Sequence, residues 1–306
     1  MVDVKSRSRA RISAAPISWG ILDVPGWGHQ LDPTRVLSEM QHIGYTATEF
    51  GSPGFLPDEP AAKAETLAKY GMQAVGSFLD VVLHDADRDP LPRVRQILDG
   101  YAAAGAGTIV LAAATGAEGF DAPKPVLNDS QWKTLYTNLT RARELAEDLG
   151  VTAALHPHVG TMVETAAEVD RVVQETDTPF CLDTGHLIIG GTDPVEFART
   201  YAARVSHVHL KDVDLAVARQ VVDGDISFHQ GCRDGLFVPL GTGDVDLRTI
   251  VDSLLKVGYD GWFVLEQDAV LAGEPAPGAG PVQDATASFT YLNTLVDELS
   301  FPTRVG

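Results

Sequence analysis

The run Phe180-Cys-Leu-Asp-Thr-Gly-His186, followed by Val205-Ser-His-Val-His-Leu-Lys-Asp212, decides how the rest of the chain is read. Each piece is a short series of apolar, β-prone residues that ends in polar side chains able to bind a metal. A barrel strand has this form where its C-terminal end opens into a site. Asp183 and His186 leave one such strand, and His207 and His209 leave the next. A mixture of carboxylate and imidazole suits hard and borderline divalent ions, so the chemistry to look for is a catalytic metal. Taken singly, Asp183 could cap a turn and one histidine could be a core residue. Their recurrence on successive strands favours a site.

Outward from this pair the same pattern repeats. Strands are expected over residues 10–18, 45–50, 72–79, 108–112, 151–156, 179–183, 205–210 and 262–266. Helices are expected over 32–43, 60–70, 91–104, 129–149, 164–176, 194–203, 247–257 and 286–299, several ended by glycine (Gly44, Gly71, Gly105, Gly150, Gly258). Alternation of this kind predicts parallel β/α architecture, and eight units close a (β/α)8 TIM barrel. The doubly wound sheet is the competitor, but no Gly-x-Gly-x-x-Gly follows the first strand and no phosphate loop occurs. No linker divides residues 1–306, which read as one barrel domain. Residues 1–9 read as a tail, without the apolar stretch of a secretory signal. Two intervals, 213–244 after the seventh strand and 267–283 after the eighth, are read as long loops. Loops at that face are usually lids or contacts between copies in a homo-oligomer.

Composition excludes several functions. A formal charge of −19 argues against nucleic acid and anionic membrane surfaces, which need a basic footprint. No stretch reaches the ~18 uninterrupted apolar residues of a membrane span. Two cysteines are too few for a disulfide framework, and Cys181 lies in an apolar strand, so a reducing, cytoplasmic location is expected.

The C-terminal strand ends supply Trp19, Glu49, His84, His156 with His158, Asp183 with His186, His207 with His209, and Glu266. A barrel brings these distant positions to one pocket. Glu266 follows the apolar run 262–265, and a buried carboxylate needs a cation or a proton. Glu49 could touch substrate or form a structural ion pair. Trp19 and Trp27 could wall a sugar-like ring or simply pack. Lys211-Asp212 reads either as an internal ion pair or as charges facing substrate. In the first long loop, Arg233 has a donor fork suited to hydroxyls or a carboxylate.

The pattern Asp183-x-x-His186, His209-x-Lys211-Asp212 and Glu266 resembles the xylose isomerase-like superfamily of divalent-metal barrels along essentially the whole chain. Within it, Pro16-Ile-Ser-Trp-Gly20, residues 48–57, His156-Pro-His-Val-Gly-Thr161, Cys232-Arg-Asp-Gly235 and Glu266-Gln-Asp268 are closer to the myo-inosose dehydratases. The resemblance implies a metal held by Asp183, His209 and Glu266, with His156 standing where a glutamate is expected. Spacing does not decide whether His156 or His158 is the fourth ligand. It further implies a hydro-lyase acting on a keto-polyol such as 2-keto-myo-inositol, with manganese or cobalt bound, or else magnesium or zinc. Glu49, His158, His186 and Lys211 are the candidates for acid and base, and Trp19 and Arg233 for substrate contact. The alternative it leaves is a metal-dependent sugar or polyol isomerase or epimerase.

Overall fold

A computed structural model describes residues 10–300, so the expected tail at 1–9 lies outside the described residues. Its strands are β1 (Arg11–Ala14), β2 (Ala47–Thr48), β3 (Gln73–Ala74, continuing past Val75 as Gly76–Val81) and β4 (Thr108–Ala113). They go on as β5 (Thr152–Leu155), β6 (Phe180–Asp183), β7 (Val205–Leu210) and β8 (Trp262–Leu265). All pair in parallel, in the order β3-β2-β1-β8-β7-β6-β5-β4. The ring is joined within β3 itself. Val75 N donates to Thr48 O of β2, and Val75 O accepts from Gly107 and Thr108 beside β4. Gly76 follows because a Cβ there would stand 1.7 Å from Thr108 O. The expected (β/α)8 barrel is the observed architecture.

Helices cover the outside: Pro33–Ile43, Pro60–Lys69, Leu91–Leu98 with Tyr101–Ala104, Asp129–Asp148, Ala166–Glu175, Pro194–Tyr201, Leu247–Lys256 and Pro281–Ser300. The first shows why these segments are helical. Asp32 caps Thr34 N at 2.8 Å, Pro33 occupies the first turn, and Val36, Leu37 and Met40 face the sheet at helical spacing. The main core lies between sheet and helices, and a small separate apolar cluster of Val110, Ala154 and Cys181 lies inside the barrel. None of the described helices is long and apolar enough to cross a membrane.

Several expected boundaries move. The strand expected over 10–18 ends at Ala14, because Pro16 cannot donate to a ladder and starts the 3-10 turn Pro16–Trp19. The helix expected over 91–104 breaks at Asp99-Gly100, and the last helix begins at Pro281 instead of 286. The interval 213–244 is no loop. It folds as helices Leu215–Val222 and Phe228–Arg233 with the hairpin pair Asp212–Val213 and Phe237–Val238, over its own apolar cluster of Val213, Phe228, Leu236 and Phe237. So long a structureless stretch is unusual inside a barrel, and buried apolar side chains supply the reason for structure here.

Asp212 fastens this insertion. Its buried carboxylate accepts from the backbone N–H groups of Val213 (3.0 Å), Gly241 (2.8 Å), Gly243 (3.0 Å) and Val245 (3.0 Å). Leaving such donors without an acceptor is expensive, so Asp212→Ala should lose about 2–4 kcal/mol of stability. Cleavage by protease should begin within 239–246, and an unchanged unfolding midpoint would contradict this role.

Candidate active site

The C-terminal ends of β5 to β8 converge on one buried group. Asp183, the last residue of β6, points one oxygen at the start of helix Thr184–Ile189: Oδ1 accepts from Gly185 N and His186 N, each at 2.8 Å. Its other oxygen faces the barrel axis, 3.3 Å from His156 Nε2, 3.6 Å from His209 Nδ1 and 3.4 Å from Lys211 Nζ. Glu266, just past β8, places Oε2 2.6 Å from His209 Nδ1 and Oε1 3.2 Å from Lys211 Nζ.

Alternation along β7 aims His207, His209 and Lys211 inward and turns Asp212 away. Lys211 and Asp212 are therefore not an ion pair. Lys211 is wholly buried, with Asp268 Oδ1 at 2.8 Å and His186 Nε2 at 3.0 Å as its nearest partners. Burial alone would lower its pKa, but Asp183, Asp268 and Glu266 hold it well above the ordinary value.

Asp183, His209 and Glu266 each offer an atom within 4.8 Å of the others, a spacing that a single cation could bridge. His209 Nδ1 and Glu266 Oε2 stand close, yet neither has a hydrogen bond of acceptable geometry. Three carboxylates (Asp183, Glu266, Asp268) share Lys211, and a fourth, Glu49, faces only His207 and His209, so the group lacks positive charge. His209 sits in that deficit: burial opposes its protonation, but Cys181, Glu266, Glu49 and Asp183 lift it well above the usual imidazole value. A divalent cation would supply the missing charge, and oxygen and nitrogen donors of this kind fit one.

Of the two histidines after β5, His156 borders this group. Its Nδ1 has no hydrogen-bond partner and its ring centroid is 5.0 Å from that of His209. His158 lies one step farther out, with Nδ1 2.6 Å from Val159 O and its ring stacked on His186 at 3.7 Å. Burial, with His156 and Lys211 nearby, pushes His158 down to about 3, and burial with His158 and Lys211 holds His186 well below its ordinary value. Cys181, beneath, is pushed up by burial and is a poor ligand.

Glu49 stands behind the group. Its Oε1 meets His207 Nε2 at 2.9 Å and His209 Nε2 at 3.0 Å. Burial would raise its pKa, but His209 and His207 hold it at about 2. With Nε2 turned to this carboxylate, His209 Nδ1 faces Asp183 and Glu266, where it carries a proton or, once deprotonated, offers its lone pair to a cation. Glu49 is thus positioned to act through His209.

Other expectations are corrected. Trp19 is fully buried in the main core; its Nε1 donates to Glu39 at 2.8 Å and its ring abuts Tyr45, which leaves no face for substrate. Trp27 likewise packs, donating to Ala269 O at 3.0 Å. Arg233 is exposed at the end of helix Phe228–Arg233, without an ion-pair partner among the described residues. The same helix does cover the site, but with Phe228, whose ring is 5.7 Å from that of His186, while Phe237 lies 4.9 Å from Lys211 Nζ.

Phe120, from the loop after β4, stacks on His158 at 4.7 Å, and Gly160 permits that approach because a Cβ would meet Phe120 O at 2.3 Å. Asp121 then accepts from Phe228 N at 2.7 Å, and His229 Nε2 lies 2.9 Å from Trp27 O. Asp268 went unassigned in the sequence. Its signal was the two-residue step from Glu266, which sends both carboxylates to one side. Burial pushes Asp268 up to about 7, against the pull of Lys211.

Residues 24–289 match the family model described as xylose isomerase-like TIM barrel. The chain is 35% identical over 301 residues to an inosose dehydratase of Geobacillus kaustophilus (strain HTA426), covering 94% of this chain and 96% of that one. Among solved structures, L-ribulose 3-epimerase superposes with a TM-score of 0.69 at 17% identity, covering 97% of this chain and 99% of that one. The IolI protein with a bound zinc atom does so at 0.67 and 16%, covering 94% and 99%.

Two substitutions separate holding a metal from orienting its ligand. Asp183→Asn should abolish stoichiometric metal content. Glu49→Gln should weaken metal affinity about 10–100-fold while folding persists. Metal titration monitored beside thermal unfolding checks both, and full affinity in Glu49→Gln would show that His209 needs no such partner.

Proposed function

The chain belongs to the xylose isomerase-like TIM barrel family, and from that premise we propose that it is a divalent-metal-dependent hydro-lyase that dehydrates a keto-polyol of the 2-keto-myo-inositol type. Similarity to inosose dehydratase along almost the whole chain carries this reading. Asp183, His209 and Glu266 would hold the metal, with His156, which lies 3.3 Å from Asp183, as the fourth ligand and manganese or cobalt as the proposed ion; the donor set also suits zinc, which IolI binds. When bound, the metal supplies Lewis acidity that polarises the ketone and acidifies the adjacent C–H.

The chain's own residues do the rest. Lys211 Nζ, fixed between Asp183, Glu266 and Asp268, keeps a positive charge where an oxyanion develops. His158 and His186, stacked at the pocket side, are the imidazoles within reach for proton transfer, and Asp268 joins them in place of Glu49. Phe120, Phe228 and Phe237 exclude water around these groups. A cytoplasmic location suits two buried, unpaired cysteines.

The fifth strand favours elimination over epimerisation. Inversion at carbon needs bases on opposite faces of the substrate, and the resemblance gives those roles to glutamates of the fifth and eighth strands. Here the fifth offers His156, which as a metal ligand has its lone pair engaged. Incubating the metal-loaded protein with 2-keto-myo-inositol in deuterated water should yield a product lighter by one water. Recovery of an epimer with solvent deuterium at the inverted carbon would instead establish an isomerase or epimerase.

A further inference from the structure

The third strand carries two side chains that the reading above leaves unused. Along Gly76–Val81, Leu79 and Val81 enter the core between sheet and helices, and Ser77 Oγ meets the Tyr101 hydroxyl at 2.7 Å on the same side. Successive residues alternate, so Phe78 and Asp80 face the barrel interior. Inward residues of a barrel are ordinarily packed in closed layers. These two are exposed, Phe78 by 37%, so the inner layer is not closed over this strand. The Phe78 ring lies 5.9 Å from that of His156 and 5.6 Å from that of His158.

Register fixes the position of Asp80. It pairs with Ala112 on β4, and one step beyond the Leu111–Leu155 pair Ala112 stands beside His156. Asp80 and His156 are thus level and two strands apart, which is about 10 Å between backbones. The Asp80 carboxylate has no hydrogen-bond or ion-pair partner among the described residues. By contrast, Glu49, Asp183, Glu266 and Asp268 are all engaged with histidine or lysine. Over β4, β5 and β7 the mouth is covered by Phe120, Asp121 and Phe228, whereas Phe78 and Asp80 on β3 stay exposed.

We propose that Asp80 is a substrate-binding residue whose carboxylate accepts hydrogen bonds from hydroxyls of the cyclic keto-polyol, at the end remote from the metal ligands, while Phe78 packs against the ring's C–H face. The proposal rests on the keto-polyol reading above. An acceptor-only group matches a run of hydroxyl donors, and an aromatic face matches the apolar side of a cyclitol.

Asp80→Ala, Asp80→Asn and Phe78→Leu are to be compared with the wild type, all metal-loaded, for metal content, KM and kcat with 2-keto-myo-inositol. Loss of a charged hydrogen bond should raise KM about 10–100-fold in Asp80→Ala, with a smaller rise in Asp80→Asn. Phe78→Leu should also raise KM, and metal content should stay at the wild-type level in all three. An unchanged KM in Asp80→Ala overturns the proposal, as does a fall in metal content that accounts for the whole effect. A wild type that binds the keto-polyol but returns an epimer sinks the hydro-lyase reading, and the KM comparison still decides Asp80. A wild type that neither binds nor converts any keto-polyol sinks both.

Discussion

The structure of the barrel mouth depends on one constraint: a buried cation must be kept among buried carboxylates. Lys211 is inaccessible and reaches Asp183, Glu266 and Asp268 within 3.4 Å. Any of these charges alone in that enclosure would be strongly unfavourable, and removing one partner leaves the others uncompensated. The balance is also incomplete, because the carboxylates outnumber the lysine. His209 is drawn toward its protonated form for that reason. A proton on Nδ1 and a metal at the same place answer the same deficit, so metal binding and proton release are coupled in a group of this kind.

Much of this was legible in the sequence. Asp183, His209, Glu266 and Lys211 each end an apolar strand-like run, and β/α alternation is the rule that brings such ends together. Register could not be read with equal certainty. The step from Lys211 to Asp212 crosses from pocket to backbone anchor, and only the N–H groups of 241–245, some thirty positions away, reveal the second role. Trp19 was misread for a similar reason: its partner, Glu39, lies on the neighbouring helix, and no local pattern links the two. A strand expected to end at residue 79 likewise concealed Asp80.

The interval 213–244 posed another difficulty. Its apolar residues, Val213, Phe228, Leu236 and Phe237, pack on one another and against histidines at the barrel mouth, not in the repeating layer between strand and helix. Periodicity analysis looks for a face turned to one common core, and this segment has its own. Length alone hinted at a cover. Which side chains do the covering follows from the fold: rings from the loops after β4 and β7 meet over His158 and His186.

These features divide the mouth into two halves with different physics. From β5 to β8 the strand ends are desolvated, crowded with titratable groups and roofed by aromatic rings, so charge there is strongly felt and each group's position is set by its neighbours. Along β3 the inner face is wet, and Asp80 has no internal partner to align it. A rigid, charge-dense half suits bond breaking, which needs preorganised groups at fixed distances. A solvated half can exchange its water for substrate hydroxyls at little electrostatic cost. Changes along β3 would therefore redirect which polyol is admitted without disturbing the charge balance on which the opposite half depends.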